Sequence, residues 1–124
     1  MTSTEQDCDK AIATVYGKDS VVKLGRKDRR TPNTQGVPDR LYFCGGRMVW
    51  FEVKSANDYL SPAQITFLTR VLAAKGIAGC GNRNDLLELL SAPNPLMIGT
   101  RQIATYSSQV ERYARKKARD SVLT

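Results

Sequence analysis

The stretch GVPDRLYFCGGRMVWFEVKS, Gly36 to Ser55, decides how the rest of the chain is read. Two runs rich in aromatic and β-branched residues, Arg40–Cys44 and Arg47–Ser55, flank the dipeptide Gly45-Gly46. Both glycines accept positive φ, so the dipeptide reads as the two-residue loop of a β-hairpin. With that loop Cys44 faces Arg47, and counting outward Asp39 faces Glu52. Directly opposed residues share a face of the sheet, with Cβ atoms roughly 4.5–5.5 Å apart. Lys54 lies two residues past Glu52 and returns to that face. The register therefore gathers two carboxylates and one ammonium on one spot, and a loop of another length would scatter them.

Like charges placed opposite each other are destabilising. Lys54 is one counter-charge. A divalent cation is a better one, because paired carboxylates are the ligands that Mg²⁺ or Mn²⁺ takes while keeping several waters. Such an ion polarises a phosphate oxygen and lowers the pKa of a bound water. Lys54 can then orient or deprotonate that water, or balance charge on the phosphate. The plain alternative is a buried Glu52–Lys54 salt bridge beside a turn aspartate. Glu-x-Lys and Pro-Asp are each common; the two in paired register are not.

The wider composition suits phosphodiester chemistry. The chain has 124 residues, read as a single α/β domain spanning 1–124, with 19 basic and 12 acidic side chains and a formal charge of +7. That excess points to a polyanionic partner, most simply nucleic acid. There is no histidine, so catalysis has to run on carboxylates, lysine, hydroxyls or a hard metal ion. Cys8, Cys44 and Cys80 are odd in number and widely spaced, which argues against a disulfide framework and against a zinc site. The polar start MTSTEQDCDK is not a signal peptide, and no apolar run is long enough to span a membrane. These features describe a reduced, cytoplasmic protein with no membrane partner.

Outward from the hairpin, residues 3–16 form an expected helix with Ser3 or Thr4 as cap, and Ser20–Arg26 a short strand. KDRRTPNTQG, Lys27 to Gly36, is a basic loop whose Lys27, Arg29 and Arg30 can grip phosphates near the cut. Ser61–Lys75 is the clearest helix, with Pro62 in its first turn, a Leu68–Val71–Leu72 stripe and Gly76 as its stop. Ile77–Cys80 reads as a buried strand, and Asn84 or Asp85 as the cap of a short helix ending at Leu90. SAPNP then breaks the pattern, and SSQVERYARKKARDSVLT reads as a basic final helix. Its Arg112, Arg115 and Lys116 can contact nucleic acid, cover a dimer seam or form a solvated face. Helix, strand, hairpin, helix, strand, helix is the order of an α/β domain with a mixed sheet. Gln64 has two readings, as the N3 partner of a capping box with Ser61 or as a side chain facing the sheet. Trp50 and Tyr42 suit base stacking, but aromatics on a central hairpin are more often core. Cys44 and Cys80 read as small buried residues.

The hairpin resembles the active-site core of the PD-(D/E)xK nucleases: Pro38-Asp39, twelve residues, then Glu52-Val53-Lys54. More narrowly, GVPD, FEVKS and LSPAQ together resemble the VRR-NUC (virus-type replication-repair nuclease) family, over about Gly36 to Leu90. The resemblance implies a restriction-endonuclease-like αβββαβ core and a metal-dependent DNA endonuclease. It implies that Asp39, Glu52 and the Val53 carbonyl bind Mg²⁺ or Mn²⁺, that Lys54 is catalytic, and that Gln64 matches the glutamine of the following helix. The family also places an acid on the first helix; Glu5 is the candidate, with Asp7 and Asp9 competing. Small stand-alone members resemble Holliday-junction resolvases, which implies a homodimer acting on branched DNA, encoded by a phage or a bacterium. The rival readings are a flap nuclease or exonuclease of the same superfamily, an RNA-directed defence nuclease, and a non-catalytic nucleic-acid-binding module.

Overall fold

The computed structural model describes residues 3–24 and 36–107. Lys27, Arg29 and Arg30 of the basic loop, and Arg112, Arg115 and Lys116 of the expected final helix, lie outside the described residues. The described elements are α1 (Thr4–Tyr16), β1 (Val21–Lys23), β2 (Arg40–Cys44), β3 (Arg47–Val53), α2 (Pro62–Ala73), β4 (Ile77–Gly81) and α3 (Arg83–Ser91). A further helical segment, α4, covers residues 95–107. The four strands form one mixed sheet in the order β1-β2-β3-β4, antiparallel except where β3 runs parallel to β4. The expected α/β class with a mixed sheet flanked by helices is thus what the chain forms. No helix among the described residues is long and apolar enough to cross a membrane.

Local chemistry explains where each helix begins. α1, α2 and α3 each start with a reciprocal capping box: Ser3 with Gln6, Ser61 with Gln64 and Asn82 with Asp85. For α1 this settles the cap as Ser3. For α3 it corrects the expectation, since the cap is Asn82 and Asp85 is the partner three residues on. The hairpin turn is as expected: Gly45 and Gly46 have φ of 58° and 82°, and Cys44 pairs with Arg47. β3 ends at Val53 rather than Ser55, although the Lys54 amide still donates to the Gly81 carbonyl at 2.8 Å. The break at SAPNP is brief, because a helix begins at its second proline, with Pro95 in the first turn.

The sheet carries a core on each face. On one face Tyr42, Cys44, Val49, Phe51 and Val53 pack with Cys8 and Ile12 of α1 and with Leu86 and Leu89 of α3. On the other face Trp50, Ala78 and Cys80 pack with Ile65, Leu68, Val71 and Leu72 of α2 and with Ile103 and Tyr106 of α4. Cys8, Cys44 and Cys80 are all free and buried, and burial, the largest cause, with added Asp9 and Asp7 charge pushes the Cys8 thiol up to about 12. Tyr42 is fully buried, so it belongs to the core and is closed to a ligand.

β4 would be an open edge without α4. Gln102 occupies that edge: its Oε1 accepts from the Cys80 amide at 3.3 Å and its Nε2 donates to the Asp85 carbonyl at 2.7 Å. One buried amide side chain thus stands in for a fifth strand at the point where an unpaired backbone would be costly. Gly99 lets the helix come this close, because a Cβ there would overlap the Ala78 carbonyl.

Candidate active site

The site lies where β3 and β4 end, on the face that carries α2. Strand alternation puts Trp50 and Glu52 on this face, with Cys80 paired beside Glu52. The hairpin pairing runs in register as far as Arg40 with Phe51, and one step further the Asp39 amide donates to Glu52 Oε2 at 2.9 Å. Gln64 Nε2 donates to Glu52 Oε1 at 3.0 Å, and Lys54 Nζ stands 3.8 Å from the same oxygen. Asp39, Glu52, Lys54 and Gln64 are therefore brought together. Val53, between Glu52 and Lys54, is the last residue of β3 and is buried.

The two readings of Gln64 hold at once. Its backbone amide donates to Ser61 Oγ, and its own Oε1 accepts from the Ser61 amide at 2.8 Å. That fixes the carboxamide oxygen toward the helix end and leaves the nitrogen to face Glu52. The capping box thus positions a donor. The Gly36 loop is fixed against the same turn: at φ +86°, Gly36 sits so close to Ala63 and Gln64 that a Cβ would overlap the Ala63 carbonyl. GVPD, FEVK and SPAQ, separate in sequence, form one contact cluster through Gly36, Glu52 and Gln64.

Glu52 is 2% exposed. Burial first, then the Asp39 charge and a carboxyl–carboxyl hydrogen bond to Asp39, push its pKa from 4.5 up to about 8. Lys54 and the Asp39 amide act the other way and do not win. A buried ion pair with Lys54 as the sole determinant would leave Glu52 an easily formed carboxylate. Instead, burial and the facing Asp39 charge favour the protonated form of Glu52 near neutral pH, the behaviour of a buried carboxyl short of positive charge. The donor set, two facing carboxyl groups beside an ammonium, fits a hard oxygen-seeking cation in place of the Glu52 proton.

Glu5 is placed elsewhere. Its side chain is 57% exposed and lies 3.8 Å from Arg40 Nη2. Among the described residues no three aspartate, glutamate, cysteine or histidine side chains gather as a metal-holding group. Of the other two acids of α1, Asp7 and Asp9, it is Asp9 that Arg40 holds, through Nε at 2.8 Å and Nη2 at 3.2 Å, together with the Tyr42 hydroxyl at 2.8 Å. Burial alone would weaken the charge on Arg40, but its hydrogen bonds and pairing with Asp9 more than offset that. Arg40 Nη1 also donates to the Asp39 carbonyl at 3.1 Å, which ties α1 to the backbone of the site. Sequence reasoning missed this network. Its signal was the alternation Arg40–Tyr42–Cys44, which turns an arginine inward and so demands a buried acid. Gln102 had no comparable signal. No family model, curated protein or solved structure matches the chain.

Proposed function

We propose that the chain is a Mg²⁺- or Mn²⁺-dependent nuclease of the VRR-NUC type, with a restriction-endonuclease-like core, cutting phosphodiester bonds in DNA. The observation that carries the proposal is the buried Glu52 facing Asp39, with its pKa raised in spite of Lys54. That balance favours a cation site over a structural salt bridge. When bound, the ion supplies Lewis-acid polarisation of the scissile phosphate and a lower pKa for the attacking water. Water adds to phosphorus as the bond to the leaving oxygen breaks; the water gives up a proton and the leaving oxygen gains one. Asp39 and Glu52 would hold the ion. Gln64 keeps the Glu52 carboxylate in one orientation. Lys54, whose Nζ stands 3.8 Å from Glu52 Oε1, sets positive charge beside the phosphate and is the cationic side chain placed to orient the water.

The +7 charge supports a DNA partner, and the resemblance supports branched DNA and a homodimer. The test is cleavage of an end-labelled four-way junction, beside flap, linear and RNA substrates, in Mg²⁺, Mn²⁺ and EDTA. Wild type is compared with Asp39→Ala and Lys54→Ala. Paired nicks near the branch, absent in EDTA and in both variants, are expected. Cuts confined to flaps or ends would keep the metal site and change the substrate. Gel shifts without products in either metal would sink the catalytic reading and leave a binding module.

A further inference from the structure

Among the described residues, the face that carries Asp39 and Glu52 continues beyond α2 as a partly exposed apolar surface, half-buried at Val22 and Leu41 and exposed at Phe43 and Met48. Val22 pairs with Leu41 and Leu41 with Trp50, and Phe43 pairs with Met48; by alternation all five side chains share the face of the site. α2 packs over β4 and the Trp50 position, where Phe67 meets the indole edge-on at 5.5 Å. Among the described residues, Val22, Leu41, Phe43 and Met48 belong to neither core. Phe43 is 42% exposed and Met48 50%. The surface runs along the same two strands that end in the acids, and Phe43 stands four residues, about 13 Å, from Asp39.

We infer that this sheet face is a platform on which unpaired bases of the nucleic acid stack, placing single-stranded DNA next to the cutting site. The inference rests on the nuclease reading and adds to it the part of the substrate that is held. Three observations select bases as the occupant. The surface is continuous with the acid pair, so whatever lies on it lies beside the scissile phosphate. It presents an aromatic ring and flat aliphatic groups, on which any base can stack without being read. The chain is strongly basic overall, matching a strand whose backbone is anionic while its bases are apolar on their faces. A duplex keeps its bases inside and has nothing to offer such a surface, which accounts physically for a preference for branches, flaps or frayed ends.

Trp50 is the single tryptophan and borders this surface through its partner Leu41, so its fluorescence reports occupancy. The experiment titrates the full-length protein in EDTA with a dodecamer of thymidylate and with a blunt duplex of equal charge. Wild type is compared with Phe43→Ser and Met48→Gln, each checked by circular dichroism. The single strand should quench Trp50 saturably and the duplex should not. Each substitution should weaken single-strand affinity about 5-fold or more, the lower end of the loss per stacked base. The slope of log affinity against log salt should stay as in wild type, because no phosphate contact is removed. Equal quenching by the duplex, or unchanged affinity in both variants, would overturn the inference. So would a dimer in sedimentation that Phe43→Ser dissociates, because a second copy would then own the surface, and so would unfolding of both variants, because the side chains would then be core. Quenching is read without metal and cleavage with it. Cleavage without quenching removes the platform alone, and quenching without cleavage by wild type removes the nuclease alone.

Discussion

Stripping divalent cations from the protein should make it less stable as pH rises through neutrality, against the usual trend for a carboxylate. Glu52 has a folded-state pKa of about 8 against an ordinary 4.5, so in that window the folded chain binds a proton that the unfolded chain has released. The stability tied to that proton is fully present below pH 4.5 and is lost as pH rises through 8. At 1.36 kcal/mol per pKa unit, the loss reaches about 3 kcal/mol at pH 7 and about 5 kcal/mol above pH 8. For a chain of this size, the part that falls between pH 5 and pH 7 lowers Tm by roughly 10 °C. The assay is thermal unfolding by circular dichroism in EDTA from pH 5 to 8.5, repeated with millimolar Mg²⁺. A cation bound by the folded state alone stabilises it by mass action, and it competes with the proton, so the Mg²⁺ increment should grow with pH. Glu52→Gln cannot ionise there; it should lose most of the EDTA slope and all of the Mg²⁺ increment. A Tm in EDTA that is flat or rising from pH 5 to 8, or a Glu52→Gln variant that keeps the wild-type slope, would refute the reasoning that this pair is short of positive charge.

Three further outcomes follow from the contacts around the pair. Gln64→Leu removes both the side-chain half of the α2 capping box and the donor to Glu52, leaving the Ser61 cap on the backbone; it should cost about 1 kcal/mol of stability in urea and weaken Mg²⁺ activation about 10- to 100-fold in a metal titration. Gly36→Ala forces a Cβ toward the Ala63 carbonyl at a positive φ; a loss of about 2 kcal/mol is expected by denaturation, together with loss of cutting as Asp39 is displaced. Asp9→Asn leaves Arg40 charged with a weaker partner; it should cost about 2 kcal/mol in urea, and an unchanged midpoint would show that the network contributes little.

Much of this protein was legible as sequence because the signals are local. Paired glycines that accept positive φ set the hairpin register, and the register alone brought Asp39 to Glu52 and Lys54 to the same face. Ser-x-x-Gln twice, with a proline in the first turn of α2, marked helix starts whose reciprocal hydrogen bonds need no tertiary partner. What the chain alone left undecided depends on groups distant in sequence. Whether Gln64 capped a helix or faced Glu52 was open until the packing of α2 on the sheet let one carboxamide do both. Glu5, Asp7 and Asp9 lie within one helical turn or so of each other, so only the rotation of α1 on the sheet chose Asp9 for Arg40 and left Glu5 exposed. Gln102 covers an edge strand 22 residues earlier in the chain, and no local pattern announces such a substitute strand. Local backbone preference determined the elements and their register; burial, which raises the proton affinity of Glu52 and, among the described residues, leaves only the part of one sheet face beyond α2 exposed, was decided only when distant segments met.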